Sequence, residues 1–267
     1  MRPLPGRHDV FGTDISLTTV DEVVDRLLDP ELDGLMVVIA NVHSIMTSRR
    51  RPELANAVRE ADIATADGVP LIWALRASGI ESAVRVTGID VMRGALAKGR
   101  TEGARHYFYG STEPVLRRLV SSIERDYQGV QVAGAQSPPF QTITDSELAE
   151  HAGRIRAASP DIVWVGLGMP KQELWMARVR DHLPGITLVG VGAAFDWVAG
   201  TTPMAPEWMR QRGLEWLYRL GMEPRRLWRR YAYNNPAFLA LLIGRWIRTT
   251  ASRLVGRFRP PSGLSPK

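Results

Sequence analysis

The sequence of 267 residues predicts an α/β protein. Its core is a largely parallel, Rossmann-like sheet with helices on both faces, and a basic helical appendage follows. Three observations carry this reading. Short continuous apolar runs, such as Leu35 to Ala40, read as strands buried on both faces. These runs alternate with helical patterns at least six times, the order that a parallel sheet with crossover helices requires. The charge then changes sign near Gly200. Residues 1–200 hold 21 Lys and Arg against 25 Asp and Glu, a net −4, while residues 201–267 hold 13 against 3, a net +10. Four of the eight tryptophans (208, 216, 228 and 246) fall in that last quarter. The division is therefore an α/β core over 1–200 and a helical appendage over 201–267.

Taken in order, residues 1–14 are a polar, Pro/Gly-rich lead-in without the apolar segment of a secretory signal. Leu17 to Leu28 reads as a short helix with Thr18 or Thr19 as cap. The strand Leu35 to Ala40 ends at Asn41, and His43 to Ala61 reads as one helix with Arg49, Arg50 and Arg51 on a solvated face. Ile63 to Ala66 is the second strand. Val69 to Ser78 is helical and stops at Gly79, and Arg85 to Asp90 turns into a helix over Val91 to Lys98. Further strands are expected at His106 to Tyr109, Val130 to Ala133, Asp161 to Val165 and Ile186 to Val191. Helices are expected from Pro114 to Tyr127, from Thr144 to about Ala158, and from Pro170 onward.

The composition removes several classes of function. With no Cys there is no disulfide framework, thiolate metal site or Cys nucleophile. The five His include no H-x-x-x-H pair, so a zinc site is not expected. No apolar run approaches the roughly 20 residues of a membrane span. No G-x-G-x-x-G fingerprint or P-loop follows a strand, which removes the main signals of dinucleotide chemistry and NTP hydrolysis. No D-x-D pair is present, so no metal ion and no cofactor are expected. A bound diphosphate would then be neutralised by arginines, backbone N–H groups or helix N-termini.

The loops after the strands converge on one edge of such a sheet, the usual ligand crevice. Asp67 ends the second strand before Gly68 and Pro70. It reads either as a general base or as the cap of the next helix. Gly166 to Glu173 (Gly-Leu-Gly-Met-Pro-Lys-Gln-Glu) is the most distinctive loop. Gly166 and Gly168 allow a close backbone approach, and Gln172 stands in the first helical turn, where N–H groups suit an anion or a sugar hydroxyl. An ordinary polar connection is the plainer reading. Gly110, at a strand end, and Asn41 belong to the same edge. Arg85 reads as a phosphate clamp or as a surface Arg. His43 reads as a general acid or as a structural side chain. Asp196 reads as a ligand for a ribose hydroxyl or base edge, or as a cap before Gly200.

Several of these stretches resemble the WecG/TagA/CpsF family of bacterial glycosyltransferases. They are Ala40-Asn41, Ala66-Asp67-Gly68, Arg85 to Asp90, Gly166 to Glu173, Gly190 to Asp196, Ala205 to Trp208, Leu214 to Leu220 and Glu223 to Arg226, in order between about 35 and 235. The family pattern has a Thr two residues before the Asn, and here that place is Ile39. The resemblance implies an inverting, metal-independent transfer of an N-acetylmannosamine-like sugar from a UDP-sugar. The implied acceptor is an undecaprenyl-diphosphate-linked sugar met at the cytoplasmic face of the membrane, in cell-surface polysaccharide synthesis. It implies Asp67 as the base, Asn41 and Gln172 as substrate ligands, and Arg219, Arg226 and Arg229 as arginines that close over the site. The sequence leaves room for a homo-oligomer.

In the appendage, Arg225/Arg229 and Arg226/Arg230 stack at i,i+4 if the segment is helical. Such a cluster suits a diphosphate. Pro236 is expected to interrupt the helix. Phe238 to Ile247 is then almost wholly apolar around Arg245, and Arg248, Arg253, Arg257 and Arg259 follow with Trp246 and Phe258 among them. The long apolar stripe favours an anionic membrane surface over nucleic acid. A rival reading is a non-catalytic nucleotide-sugar-binding or scaffold protein at the membrane, which would keep the crevice and the tail without turnover.

Overall fold

The computed structural model describes residues 3–32, 34–139, 141 and 143–257, with side chains to residue 247. The expected lead-in is instead a small antiparallel hairpin, β1 (Arg7–Asp9) and β2 (Asp14–Ser16), turned at Phe11 and Gly12. Helix α1 (Val20–Leu27) is capped by Thr19, whose hydroxyl accepts from the Glu22 N–H while Glu22 reaches back to the Thr19 N–H. Strand β3 (Met36–Ala40) follows. The single helix expected over His43 to Ala61 is two, α2 (Val42–Ser48) and α3 (Pro52–Glu60). Pro52 is the cause: it disfavours helical backbone at Arg51 and instead opens α3.

Strand β4 (Ile63–Ala66) leads into α4 (Val69–Ala77). Helix α5 (Gly88–Glu102) is longer than expected because Thr87 caps it, so the supposed turn residues Gly88 to Asp90 are its first turn. Then come β5 (Arg105–Gly110), α6 (Glu113–Asp126), β6 (Gln131–Gln136), α7 (Asp145–Ala158), β7 (Ile162–Gly166), α8 (Lys171–Val179) and β8 (Thr187–Gly190). Four helices close the described chain: α9 (Ala194–Val198), α10 (Glu207–Gln211), α11 (Glu215–Met222) and α12 (Pro224–Arg257). Pro236 lies inside α12 and does not end it. Phe258 and Arg259, and the side chains of Arg248, Arg253 and Arg257, lie outside what is described.

Strands β3 to β8 form one parallel sheet in the order β4-β3-β8-β7-β5-β6. Alternate residues feed opposite cores, as strand geometry dictates. Ile162 and Trp164 of β7 pack with Ile39, Phe108 and Phe195 under α1, α5, α6 and α9. Val163 and Val165 pack with Met36, Val38 and Tyr109 under α3, α7 and α8. Ile39, at the place of the family Thr, is thus a core side chain. A third core joins the hairpin, α2, α4 and α12: Phe238 of α12 meets Phe11 edge to face at 5.2 Å. Helix α12 is thereby held across the C-terminal edge of the sheet, above the ends of β3 and β4.

Candidate active site

Asp67 directly follows β4, and its backbone N–H donates to the Ala40 carbonyl at 2.7 Å. Gly68 turns the chain at φ 101°, where a side chain is strained, and Pro70 fits the first turn of α4. No side chain caps α4. The Asp67 carboxylate points elsewhere: its Oδ1 accepts from Arg85 Nε at 3.1 Å. Arg85 also donates through Nη2 to Glu215 Oε2 of α11 at 2.7 Å, and through Nη1 to the Arg210 carbonyl at 3.4 Å. The guanidinium expected to clamp phosphate is therefore committed to two carboxylates, and it orients Asp67.

Burial pushes the Asp67 carboxyl above its ordinary range. Arg85 opposes this in part, and Glu215 adds to it. For Arg85, burial alone would lower the guanidinium. The two carboxylates outweigh burial, so the net shift is upward.

Asp67 opens into a cavity of about 360 Å³ between the sheet edge and α10 to α12. Asn41, His43, Arg85, Arg219 and Arg230 share its wall. Asn41 caps α2, its Oδ1 accepting from the backbone N–H groups of His43 and Ser44 at 3.0 and 3.2 Å. Arg50 donates to Asn234 Oδ1 at 2.9 Å, which turns the Asn234 amide nitrogen toward His43 Nδ1 at 2.7 Å. His43 then carries its proton on Nε2. Burial, with Arg230 and Arg50 nearby, pulls its pKa down to about 3. His43 is accordingly a neutral strut between α2 and α12, not an imidazolium acid.

Of the expected site residues, Asn41, Asp67, Arg85 and Arg219 meet around this cavity. The others lie apart from its wall. Gly110 and Gly166 pair across β5 and β7. A Cβ on Gly110 would meet the Gly166 carbonyl carbon at 2.6 Å, and one on Gly166 would meet the Phe195 ring at 2.5 Å, so packing alone accounts for both glycines. Gly168 stands in open space beyond them. Asp196 accepts from the Thr201 hydroxyl at 3.3 Å, and burial raises its pKa against the pull of Thr201 and Arg226. Arg219 lies over the Trp197 ring at 5.4 Å. Arg226 is exposed and ion-paired with Glu223 at 2.8 Å, and exposed Arg229 lies over Trp228 at 5.3 Å.

Of the arginines at 225, 226, 229 and 230 on α12, Arg230 turns toward the cavity. Its Nε is buried without a hydrogen-bond partner, and its field reaches Asp67, His43 and Glu173. Burial, Arg219 and Arg226 lower its pKa from the usual value, yet a guanidinium stays charged. The signal for it was in the stripe Leu227, Tyr231, Asn234 and Phe238, whose spacing marks the inward face next to residue 230.

Gln172 lies buried over the end of β8, where a Cβ on Gly190 would come within 2.9 Å of its Nε2. That nitrogen donates to Glu173 Oε1 at 3.0 Å, which leaves Gln172 Oε1 and Glu173 Oε2 without partners. Glu173 is fully buried, and burial pushes its carboxyl from 4.5 up to about 7. The folded state therefore holds a proton that the unfolded chain has already lost. Stability falls as pH rises from about 4.5 to about 7 and then levels off. Glu173→Gln keeps the shape and removes the titration. Its Tm should vary less between pH 5 and 8 than that of the wild type, with a gain of up to about 3 kcal/mol at pH 8. Parallel Tm curves for the two proteins would refute the assignment.

Among the described residues, no group of three or more His, Asp or Glu is placed to hold a metal ion. What the site offers is an acid at a strand end, oriented by an arginine, facing two more arginines across a cavity. That arrangement suits an enzyme that activates a hydroxyl and releases an anion. The chain belongs to the glycosyl transferase WecG/TagA/CpsF family, whose model matches residues 8–252. It is accordingly a glycosyltransferase. It is 30% identical over 197 residues, 74% of either chain, to the N-acetylglucosaminyldiphosphoundecaprenol N-acetyl-beta-D-mannosaminyltransferase of Bacillus spizizenii. It is 26% identical to the Bacillus subtilis protein of the same name, over 223 residues, 84% of this chain and 85% of that one.

Proposed function

We propose that this glycosyltransferase moves an N-acetylmannosamine-like sugar from a UDP-sugar to a sugar carried on undecaprenyl diphosphate, with inversion and without a metal ion. The observation that carries this reading is Asp67, held by Arg85 at the polar end of a cavity that also presents Arg219 and Arg230. The names of the two Bacillus relatives supply the acceptor and the sugar. In the step, the acceptor hydroxyl oxygen bonds to the anomeric carbon as that carbon's bond to the UDP oxygen breaks. The hydroxyl proton passes to Asp67, and UDP leaves with its charge balanced by arginines. Inversion follows from a single displacement. Arg219 and Arg230 line the cavity and reach the diphosphate directly. Arg226 and Arg229 join them only if α12 rolls inward. Asn41 stands at the end of β3 on the cavity wall as a donor to the sugar or nucleotide, while Gln172, buried over β8 with its Nε2 given to Glu173, reaches a substrate only if that pair opens.

A donor screen tests this. UDP should be released from UDP-N-acetylmannosamine with a lipid-diphosphate-N-acetylglucosamine acceptor present, and equally so in EDTA. A strict need for Mg²⁺ or Mn²⁺ would end the metal-independent part of the reading.

The same reading puts the protein on the cytoplasmic membrane surface. No helix among the described residues is long and apolar enough to cross a membrane. Leu239, Ile243, Trp246 and Ile247 of α12 are each at least half exposed, which suits a helix lying in the interface. The full chain should co-sediment with anionic liposomes, less so as salt rises. Binding to oligonucleotides with none to liposomes would reverse that choice.

A further inference from the structure

We infer that the apolar groove between α4 and α12 seats the first isoprene units of the acceptor's polyprenyl chain. The inference rests on the proposed function and names where the acceptor's lipid lies. The catalytic cavity has two ends. One is polar, with Asp67, Arg219 and Arg230; the other is apolar, with Trp73, Phe238, Leu239 and Leu242. A second hollow of about 290 Å³ abuts the apolar end. Trp73 and Leu242 line both, and Ala77, Ile243 and Trp246 complete the second.

No charged side chain lines that second hollow, so water there has only apolar walls to meet. Trp73 and Ile243 are each 50% exposed although they flank it, an arrangement that an apolar occupant would improve. Along α12 the inward Arg230, whose field reaches Asp67, comes about two turns before Phe238 and about three before Leu242, so the acid and the arginine share one end and the apolar wall follows. A ligand that matches this order is amphipathic, with a hydroxyl-bearing head, a diphosphate and a hydrocarbon tail in that sequence. A polyprenyl-diphosphate-linked sugar has this order. A bulk-lipid acyl chain could fill the groove but would bring no sugar hydroxyl to Asp67. The groove contributes to acceptor affinity by burying hydrocarbon, an effect that grows with chain length only until the groove is full.

The test separates the chain from the head, using the full-length protein without detergent. Farnesyl diphosphate and inorganic diphosphate are compared by calorimetry. In parallel, acceptors carrying N-acetylglucosamine diphosphate on a farnesyl or on a methyl group are compared by turnover. Ala77→Phe plugs the groove, and Ile243→Ser makes an exposed part of its wall polar. Farnesyl diphosphate should bind at least ten-fold more tightly than diphosphate, and each variant should remove most of that advantage. The farnesyl acceptor should show the lower KM, and each variant should raise that KM without changing kcat. Equal affinity for the two diphosphates, or an advantage that survives both variants, would overturn the inference. So would variants that lose only liposome binding, since the groove would then serve bulk lipid. If neither acceptor turns over while the farnesyl advantage and its loss in the variants are seen, the groove stands and the proposed transfer is what fails.

Discussion

Asp67→Asn is expected to lower kcat by about 10²–10⁴-fold while UDP still binds. Asn keeps the size of the side chain, and its oxygen can still accept from Arg85 Nε, now at 3.1 Å from Oδ1. What it cannot do is take the proton of the acceptor hydroxyl. The loss should therefore appear in kcat, with the circular dichroism spectrum and Tm close to wild type. The raised Asp67 pKa also sets the sign of the pH dependence. As pH falls, the base is protonated earlier than an ordinary carboxylate, so the acid limb of the rate profile should lie above the usual Asp range and vanish in the variant. An unchanged kcat would remove Asp67 from the chemistry. A variant that fails to fold would assign it a structural role instead.

Arg230→Ala should lower kcat by about 10²-fold or more, a loss typical of a charge donor used in the transition state. Negative charge on the diphosphate grows as the sugar leaves, so the effect belongs on kcat more than on KM. Arg219→Ala, on the same cavity wall, should behave alike. Arg229→Ala should cost much less, because Arg229 is exposed and lies over Trp228. Single-turnover rates on a soluble short-chain acceptor would rank the three. If Arg229→Ala lost as much as Arg230→Ala, α12 would have to roll about its axis when substrate binds, and Arg226 would be expected to follow Arg229 inward.

The strands were legible because a strand buried on both faces leaves an uninterrupted apolar run. Leu35 to Ala40 is such a run, and β3 fills it from Met36 to Ala40. The hairpin β1-β2 was not legible, since three-residue strands show no period. The two prolines were misread in opposite directions. Pro52 splits α2 from α3, while Pro236 sits inside α12. Packing explains the second case: Asn234 and Phe238 are buried on either side of Pro236 and hold the helix through it. In the candidate site, Asn41 and Asp67 were legible because strand ends in a parallel sheet must converge, whereas Arg85, in the connection between α4 and α5, showed as a candidate but not as the partner of Asp67 and Glu215. Arg230 was missed, because only the wider stripe of Leu227, Tyr231, Asn234 and Phe238 marks the face of α12 that turns inward. The local sequence around Arg226, Arg229 and Arg230 offers three similar cations.

Arg85 is shared by a carboxylate of the sheet edge and a carboxylate of α11. Glu215 raises the proton affinity of Asp67 from that position. The seating of α11 and the protonation of Asp67 are therefore linked equilibria, and each must shift the other by the same free energy. If α11 lifts away, Glu215 leaves, Arg85 has one carboxylate to serve, and Asp67 becomes a weaker base. A donor sugar bound to such an open form would meet water without an effective proton acceptor beside it. The device that aims the base would then also guard the donor against wasteful hydrolysis until the helices are in place, and the UDP released in the absence of acceptor measures how well it does so.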